Sequence, residues 1–144
     1  MSYQQTINGF LFNTDKKMID LQYVYDFLST ESYWSQGLPY ERFFTAFTNS
    51  LCYGVYRNNK QIGFARVVTD YSECGLIWDV FIDPEYQRQG IGKLLMNSIL
   101  TNPETKYVFN WFLMTEDAHE FYKQFNFTSD PHPFVMTKIT PRTF

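Results

Sequence analysis

A mixed α/β fold, one sheet with helices packed on it, is predicted by three observations. Apolar β-rich runs alternate along the chain with segments whose apolar residues are helically spaced. One strand, Leu76 to Ile82, passes through a turn at Asp83-Pro84-Glu85 and a glycine-bearing loop straight into a helix. A later run, Lys106 to Met114 (KYVFNWFLM), is almost wholly apolar and suits a central strand buried on both faces.

Each element follows from local chemistry. Tyr3 to Phe12 reads as a first strand, ending at the turn-prone Asn13-Thr14-Asp15. Thr14 or Asp15 can cap a helix over Lys16 to Ser29, with Met18, Leu21, Tyr25 and Leu28 on its apolar face. A loop, Thr30 to Leu38, carries Tyr33 and Trp34. Pro39 suits the first position of a second helix with Tyr40, Phe43, Phe44 and Phe47 helically spaced, and Asn49 stops it. Leu51 to Tyr56 and Gln61 to Thr69 are two strands of a tight hairpin, because Asn58-Asn59 tolerates positive φ.

After Leu76 to Ile82 and its loop, Ile91, Leu94, Leu95, Ser98 and Ile99 fall on one helix face. Pro103 ends that helix ahead of the apolar run at Lys106. Ala118 to Phe125 is a short helix, and Asn126 suits the left-handed position after it. Phe127 begins a strand, Pro131-His132-Pro133 is a turn, and Phe134 to Ile139 is a last strand. The order is β-α-α-β-β-β-α-β-α-β-β, without repeat or linker.

Composition bounds the function. The 144 residues read as a single domain, 1–144, able to bury a core, and 44% apolar with 20% aromatic content describes a globular chain. A net charge of −3 argues against nucleic acid as a partner, which would call for a basic face. Cys52 and Cys74 read as small buried thiols, and with two histidines at these spacings no zinc pattern arises, so no metal is expected. The first residues lack a basic region followed by an apolar one, and no apolar run approaches about 18 residues. No membrane association is expected, and a cytoplasmic location is.

The loop is the most informative stretch. Gly90 and Gly92 remove side chains where the chain enters the helix, so backbone N–H groups can approach an anion. The helix N-terminus adds unpaired donors and a positive dipole end, and Arg88 and Lys93 add charge, unless they are simply a solvated basic pair. Together these make a pyrophosphate cradle. A P-loop is excluded because Gly92-Lys93 is followed by Leu94, and a dinucleotide fingerprint lacks its third glycine near Leu95.

Gln87-x-x-Gly90-x-Gly92 resembles the acetyl-CoA-binding motif, Gln/Arg-x-x-Gly-x-Gly/Ala, of the GCN5-related N-acetyltransferases (GNAT). The element order resembles that fold too: a central mixed sheet of six to seven strands with about four helices. The resemblance implies acetyl-CoA as co-substrate, held by Gln87, Arg88, Gln89, Gly90, Ile91, Gly92 and Lys93, with the backbones of Val80, Phe81 and Ile82 pairing the pantetheine arm like an added strand. It also brings Asp117 and Phe121 to the co-substrate. A stretch resembling Tyr-x-x-x-Gly-Phe gives Tyr122 the role of proton donor to the departing thiolate. Asn126 stands where the family has glycine.

The amine proton needs an acceptor. Asp79 is the first candidate, its other reading being a structural carboxylate. Asp117 also reads as the cap of the short helix, and His119 as a surface histidine. The resemblance places the acceptor pocket near Tyr33, Trp34, Arg66 and Asp70, where Trp34 either stacks on substrate or covers the core. The expected activity is transfer of an acetyl group to a primary amine of a small molecule or peptide, in a ternary complex without a covalent enzyme intermediate. A homodimer is possible by resemblance. The rival expectation is a non-catalytic acyl-CoA sensor or partner-binding module of the same fold.

Overall fold

The computed structural model describes residues 2–130 and 132–144. It comprises two compact units, Met1–Leu113 and Met114–Phe144. The first holds a six-stranded sheet in the order β1-β2-β3-β4-β5-β6: β1 Gln4–Ile7, β2 Phe10–Asn13, β3 Leu51–Arg57, β4 Lys60–Thr69, β5 Cys74–Ile82 and β6 Asn110–Leu113. All neighbours are antiparallel except β5 and β6, which run parallel.

Three expectations change here. The first strand is two strands of a hairpin, because Asn8 (φ 54°) and Gly9 (φ 81°) both turn left-handed and fold the chain back. The first helix is broken: Asp15 caps only a short 3-10 turn, Lys16–Met18, and Ile19 is extended. Asp20 then caps α1, Leu21–Asp26, its carboxylate accepting from the Tyr23 N–H while Gln61 Oε1 accepts its own N–H at 2.8 Å. A wider turn, Phe27–Glu31, completes it. The third change is at Lys106 to Met114, where only Asn110–Leu113 is strand. Tyr107 and Phe109 are exposed and the strand alternates, as it must with β5 its sole ladder partner among the described residues.

The other elements form as their patterns demand. The β3–β4 turn has Asn58 at φ 49° and Asn59 at φ 64°. Helix α2 is Tyr40–Thr48, with Pro39 one place earlier than expected, at the N-cap, and Asn49 at its C-cap. Helix α3 is Ile91–Thr101 and buries Ile91, Leu95, Met96, Ser98 and Ile99. Burial of each such aliphatic side chain contributes about 2 kcal/mol.

The two sheet faces have different partners. Val24, Leu28, Phe43 and Phe47, from α1 and α2 and the turn between them, pack on Cys52, Phe64 and Phe81. On the other face α3 meets β2 and β5, and Asn102 at its end donates to the buried Tyr53 hydroxyl at 2.9 Å. Cys52 is buried as expected, and burial pushes its thiol up to about 12; Cys74, against expectation, is exposed because it opens β5 near the sheet's end.

The second unit contains α4, His119–Lys123. Its N-cap is Ala118, whose N–H goes to Thr115 Oγ1, so Asp117 is not the cap. Asn126 takes φ 67° as expected. The strands expected from Phe127 and over Phe134 to Ile139 do not form among the described residues. Among the described residues of this unit there is no ladder partner, and Phe134, Met136 and Ile139 stand exposed. Of the expected turn, Pro131 lies outside the described residues; His132 O accepts from the Val135 N–H at 3.1 Å.

Candidate functional site

The end of β5 and the start of α3 form one continuous feature. Asp83 closes the strand: its N–H donates to Ile62 O at 2.7 Å and its carboxylate caps the turn Pro84–Tyr86 by accepting from the Glu85 N–H. The Tyr23 hydroxyl donates to the other Asp83 oxygen at 3.1 Å, and burial with that carboxylate raises its titration well above the usual tyrosine range. Gln87 Nε2 returns to Ile82 O at 3.1 Å. The turn is thus tied to the strand at both ends before the loop begins.

Beyond Gln87 the backbone turns left-handed twice, at Arg88 (φ 65°) and at Gly90 (φ 79°), the N-cap of α3. The first helical bond is Leu94 N–H to Gly90 O, so the N–H groups of Ile91, Gly92 and Lys93 precede the helical ladder. A Cβ on Gly90 would meet no atom within 4 Å, so glycine is required there by its φ and leaves open space before the helix. Arg88 and Lys93 are exposed around it. Backbone donors, helix dipole and two cations in one open place suit a diphosphate.

The strand leading in has a free edge. The parallel ladder with β6 runs from Cys74↔Asn110 to Ile77↔Leu113 and ends there. From Trp78 to Ile82, β5 is paired among the described residues with β4 alone, through Arg66↔Trp78, Phe64↔Phe81 and Gly63↔Ile82. The Phe81 ring is pinned beneath, stacked on Phe27 at 3.8 Å and 13°. The backbones of Val80, Phe81 and Ile82 therefore border an open ladder position, which an extended ligand can fill.

A bulge lies just beyond the last β6-paired residue, Ile77. Asp79 and Val80 stand opposite the single residue Ala65, and Asp79 has φ 55°. Its carboxylate is 2.9 Å from Arg66 Nε through one oxygen and accepts the Trp34 Nε1–H at 3.0 Å through the other. The Arg66 guanidinium also donates to Ser50 Oγ at 3.1 Å. Three residues expected near one site, Trp34, Arg66 and Asp79, are thus in direct contact. Tyr33 lies beside them, half exposed, its ring edge-on to Trp34 at 5.0 Å.

Asp70 is elsewhere employed. It sits in the β4–β5 turn, accepting from the N–H groups of Ser72, Glu73 and Cys74, which hold its carboxyl below the usual range. In the second unit the Tyr122 ring is edge-on to Phe121 at 5.0 Å and to Phe127 at 6.1 Å, and its carbonyl accepts from the Phe125 and Phe127 N–H groups. Among the described residues no group of three His, Cys, Asp or Glu is placed to hold a metal ion, and no helix is long and apolar enough to cross a membrane.

Residues 48–129 match the family model described as an acetyltransferase (GNAT) domain. The chain belongs to the GNAT acetyltransferase family. It is 38% identical over 86 residues to the uncharacterized N-acetyltransferase ycf52 of Gracilaria tenuistipitata var. liui, covering 58% of this chain and 47% of that one. It thus spans about half the length of that relative, and 30% of the chloroplastic GCN5-related N-acetyltransferase 2 of Arabidopsis thaliana is covered at 36% identity over 52% of this chain. A solved structure assigned to the GNAT family, from Xanthomonas campestris pv. campestris, superposes with TM-score 0.86 at 29% identity, covering 94% of this chain and 96% of that one.

As a GNAT chain, the molecule divides usefully. The matched segment contains Arg66, Asp79, the free strand edge, the loop and Tyr122, whereas Trp34, Tyr33 and Tyr23 lie outside it. Sequence reasoning missed Tyr23, Phe27 and Ser50, the partners of Asp83, Phe81 and Arg66. All three reach their partners from segments distant in sequence, and no local pattern marks such partners.

Proposed function

We propose that this GNAT chain is an acetyl-CoA-dependent N-acetyltransferase acting on a primary amine of a small molecule or peptide. One observation carries the reading: the unpaired edge of β5 runs directly into the left-handed Gly90 entrance of α3. Acetyl-CoA would supply the thioester. The Gln87–Lys93 backbone and Arg88 would hold its diphosphate, and Val80, Phe81 and Ile82 its pantetheine arm. A GNAT fold from Elizabethkingia anophelis solved with acetyl-CoA bound, TM-score 0.63 at 18% identity over 83% of this chain and 74% of that one, supports the fold's fitness for this ligand.

In the transfer the amine nitrogen forms a bond to the thioester carbonyl carbon and the carbon–sulfur bond breaks. Tyr122 gives its hydroxyl proton to the departing thiolate, and the amine's proton leaves to a base or water. Positioning supplies most of the acceleration. Tyr122→Phe should lower kcat by about a hundredfold, the lower end of what general acid catalysis contributes, with little change in acetyl-CoA affinity. Unchanged kcat removes Tyr122 from the mechanism.

One observation favours the second reading, a non-catalytic acyl-CoA sensor: both Asp79 oxygens are engaged, so the bulge offers no free carboxylate as base. The deciding experiment is thermal shift with acetyl-CoA, CoA and ATP, followed by thiol release with candidate amines. Ligand at a hundredfold excess over Kd stabilises the fold by about 2.7 kcal/mol. A shift with acetyl-CoA but not with ATP, then thiol release, supports the enzyme; a shift with no release under any amine supports the sensor; no shift overturns both.

A further inference from the structure

The bulge at Asp79 is a strained element placed at the hinge of the candidate site. A non-glycine residue in left-handed backbone costs about 1 kcal/mol, and such a conformation persists only where its surroundings enforce it. Here the enforcement is visible. Arg66 Nε, from the neighbouring strand, and Trp34 Nε1, from the loop 45 residues away in sequence, each hold one carboxylate oxygen, at 2.9 and 3.0 Å. Arg66 is itself braced by Ser50 Oγ.

The loop that brings Trp34 is firmly built. Ser32 Oγ donates to Leu28 O at 2.6 Å and accepts the Ser35 N–H at 3.1 Å. Tyr25 donates to Leu38 O at 2.8 Å, and the Gly37 N–H reaches Ser29 O at 2.9 Å. A rigid loop thus reaches over to the bulge residue two places beyond Ile77, the last β5 residue paired with β6.

We propose that Trp34, Arg66 and Asp79 form a clamp that sets the bulge, and through it fixes the free edge of Val80, Phe81 and Ile82 for the pantetheine arm. Asp79 and Trp34 are positioning residues, and the loop before α2 is coupled to co-substrate binding. This rests on the acetyl-CoA reading above. The physical basis is preorganisation: with the clamp intact, the strand edge is ordered before ligand arrives, and the cost of ordering it is absent from the binding free energy. Coupling is reciprocal, so a ligand that pairs with the edge also tightens the bulge and the loop. The diphosphate cradle, tied to the strand by Gln87 and Asp83, does not depend on the clamp.

That separation gives the test. Wild type, Trp34→Phe and Asp79→Asn are titrated calorimetrically with acetyl-CoA and with 3′-phospho-ADP, which has the diphosphate but no pantetheine arm. Trp34→Phe keeps an aromatic ring against the core and loses the donor with part of the indole's bulk. Asp79→Asn tolerates positive φ and keeps the side chain's shape. It removes the charge opposite the largely buried Arg66 and turns an amide donor toward Arg66 or Trp34, so it lowers stability, and both probes are titrated where the variant is folded. Loss of one hydrogen bond predicts acetyl-CoA weakened about fivefold in each, with 3′-phospho-ADP unchanged. Hydrogen exchange of residues 32–38 should slow with acetyl-CoA in wild type and not in Trp34→Phe. Equal weakening of both probes, which a merely structural role would cause, overturns the clamp, as does no change in either. Wild type that binds neither probe overturns the co-substrate reading, and the clamp with it.

Discussion

The cradle and the clamp are adjacent in space along one strand, yet they are built by opposite means. The cradle, from Asp83 to Lys93, is one contiguous stretch in which the backbone supplies the donors and glycine supplies the conformation. The clamp draws Trp34, Ser50, Arg66 and Asp79 from four separate elements and works entirely through side chains. The cradle is open and its cations are exposed; both clamp charges are largely buried, 12% and 8% exposed. The energy of the two regions therefore goes to different ends. A side-chain ion pair out of solvent is coupled to folding, whereas exposed donors around an open loop are spent on ligand.

Arg66→Ala has the largest expected effect. It leaves the Asp79 carboxylate mostly buried with Trp34 as its only remaining donor among the described contacts. Removing one partner of a buried pair costs about 3 kcal/mol, because the desolvation of the surviving charge is no longer offset. Urea denaturation should show this as a lower midpoint at nearly constant slope. Stability within about 0.5 kcal/mol of wild type would mean the pair behaves as a surface salt bridge, and the contrast with the cradle would fall.

The same contrast explains what could be read from the sequence. Gln87-x-x-Gly90-x-Gly92 was legible because its function follows from backbone conformation and spacing, both local. Strands β3, β4 and β5 and helix α3 were legible for the same reason, through alternation and helical spacing of apolar residues. Asn8-Gly9 carried a hairpin signal as well, yet Tyr3 to Phe12 read as one strand because the polar Gln4-Gln5-Thr6 and Phe10–Asn13 runs are short. The break at Asp20 was hidden because Thr14 and Asp15 also cap. Nothing local marks Asp79 as left-handed, since a bulge is defined by what stands opposite it. Lys106 to Met114 misled because apolar content alone does not distinguish a central strand from an edge with exposed aromatics.

Gly90→Val alters both the stability and the ligand space of the cradle at one position. A β-branched residue at φ 79° costs about 1–2 kcal/mol of stability, although its side chain would meet no protein atom within 4 Å. The larger consequence is for ligand: the added methyl groups occupy the space before the helix N-terminus. Acetyl-CoA affinity should fall at least tenfold by calorimetry, beyond what the stability loss explains. Intact affinity would place the diphosphate somewhere other than the Gly90 entrance.

Arg88→Ala has the smallest effect on the fold and isolates the cradle's electrostatics. Alanine at φ 65° carries the same backbone strain as arginine, and Arg88 is exposed, so the melting temperature should stay within a degree or so, as for ordinary surface substitutions. A charge-assisted hydrogen bond to phosphate contributes roughly 1.5–3 kcal/mol, so acetyl-CoA and 3′-phospho-ADP should both weaken about tenfold or more. The equality of the two losses is the informative part, because the clamp variants are expected to affect acetyl-CoA alone. Added salt should shrink the Arg88 effect and leave the clamp effect in place, since the former is a solvent-exposed charge and the latter is not. If Arg88→Ala instead weakened acetyl-CoA and spared 3′-phospho-ADP, the guanidinium would be acting on the pantetheine arm, and the division of labour between loop and strand would have to be redrawn.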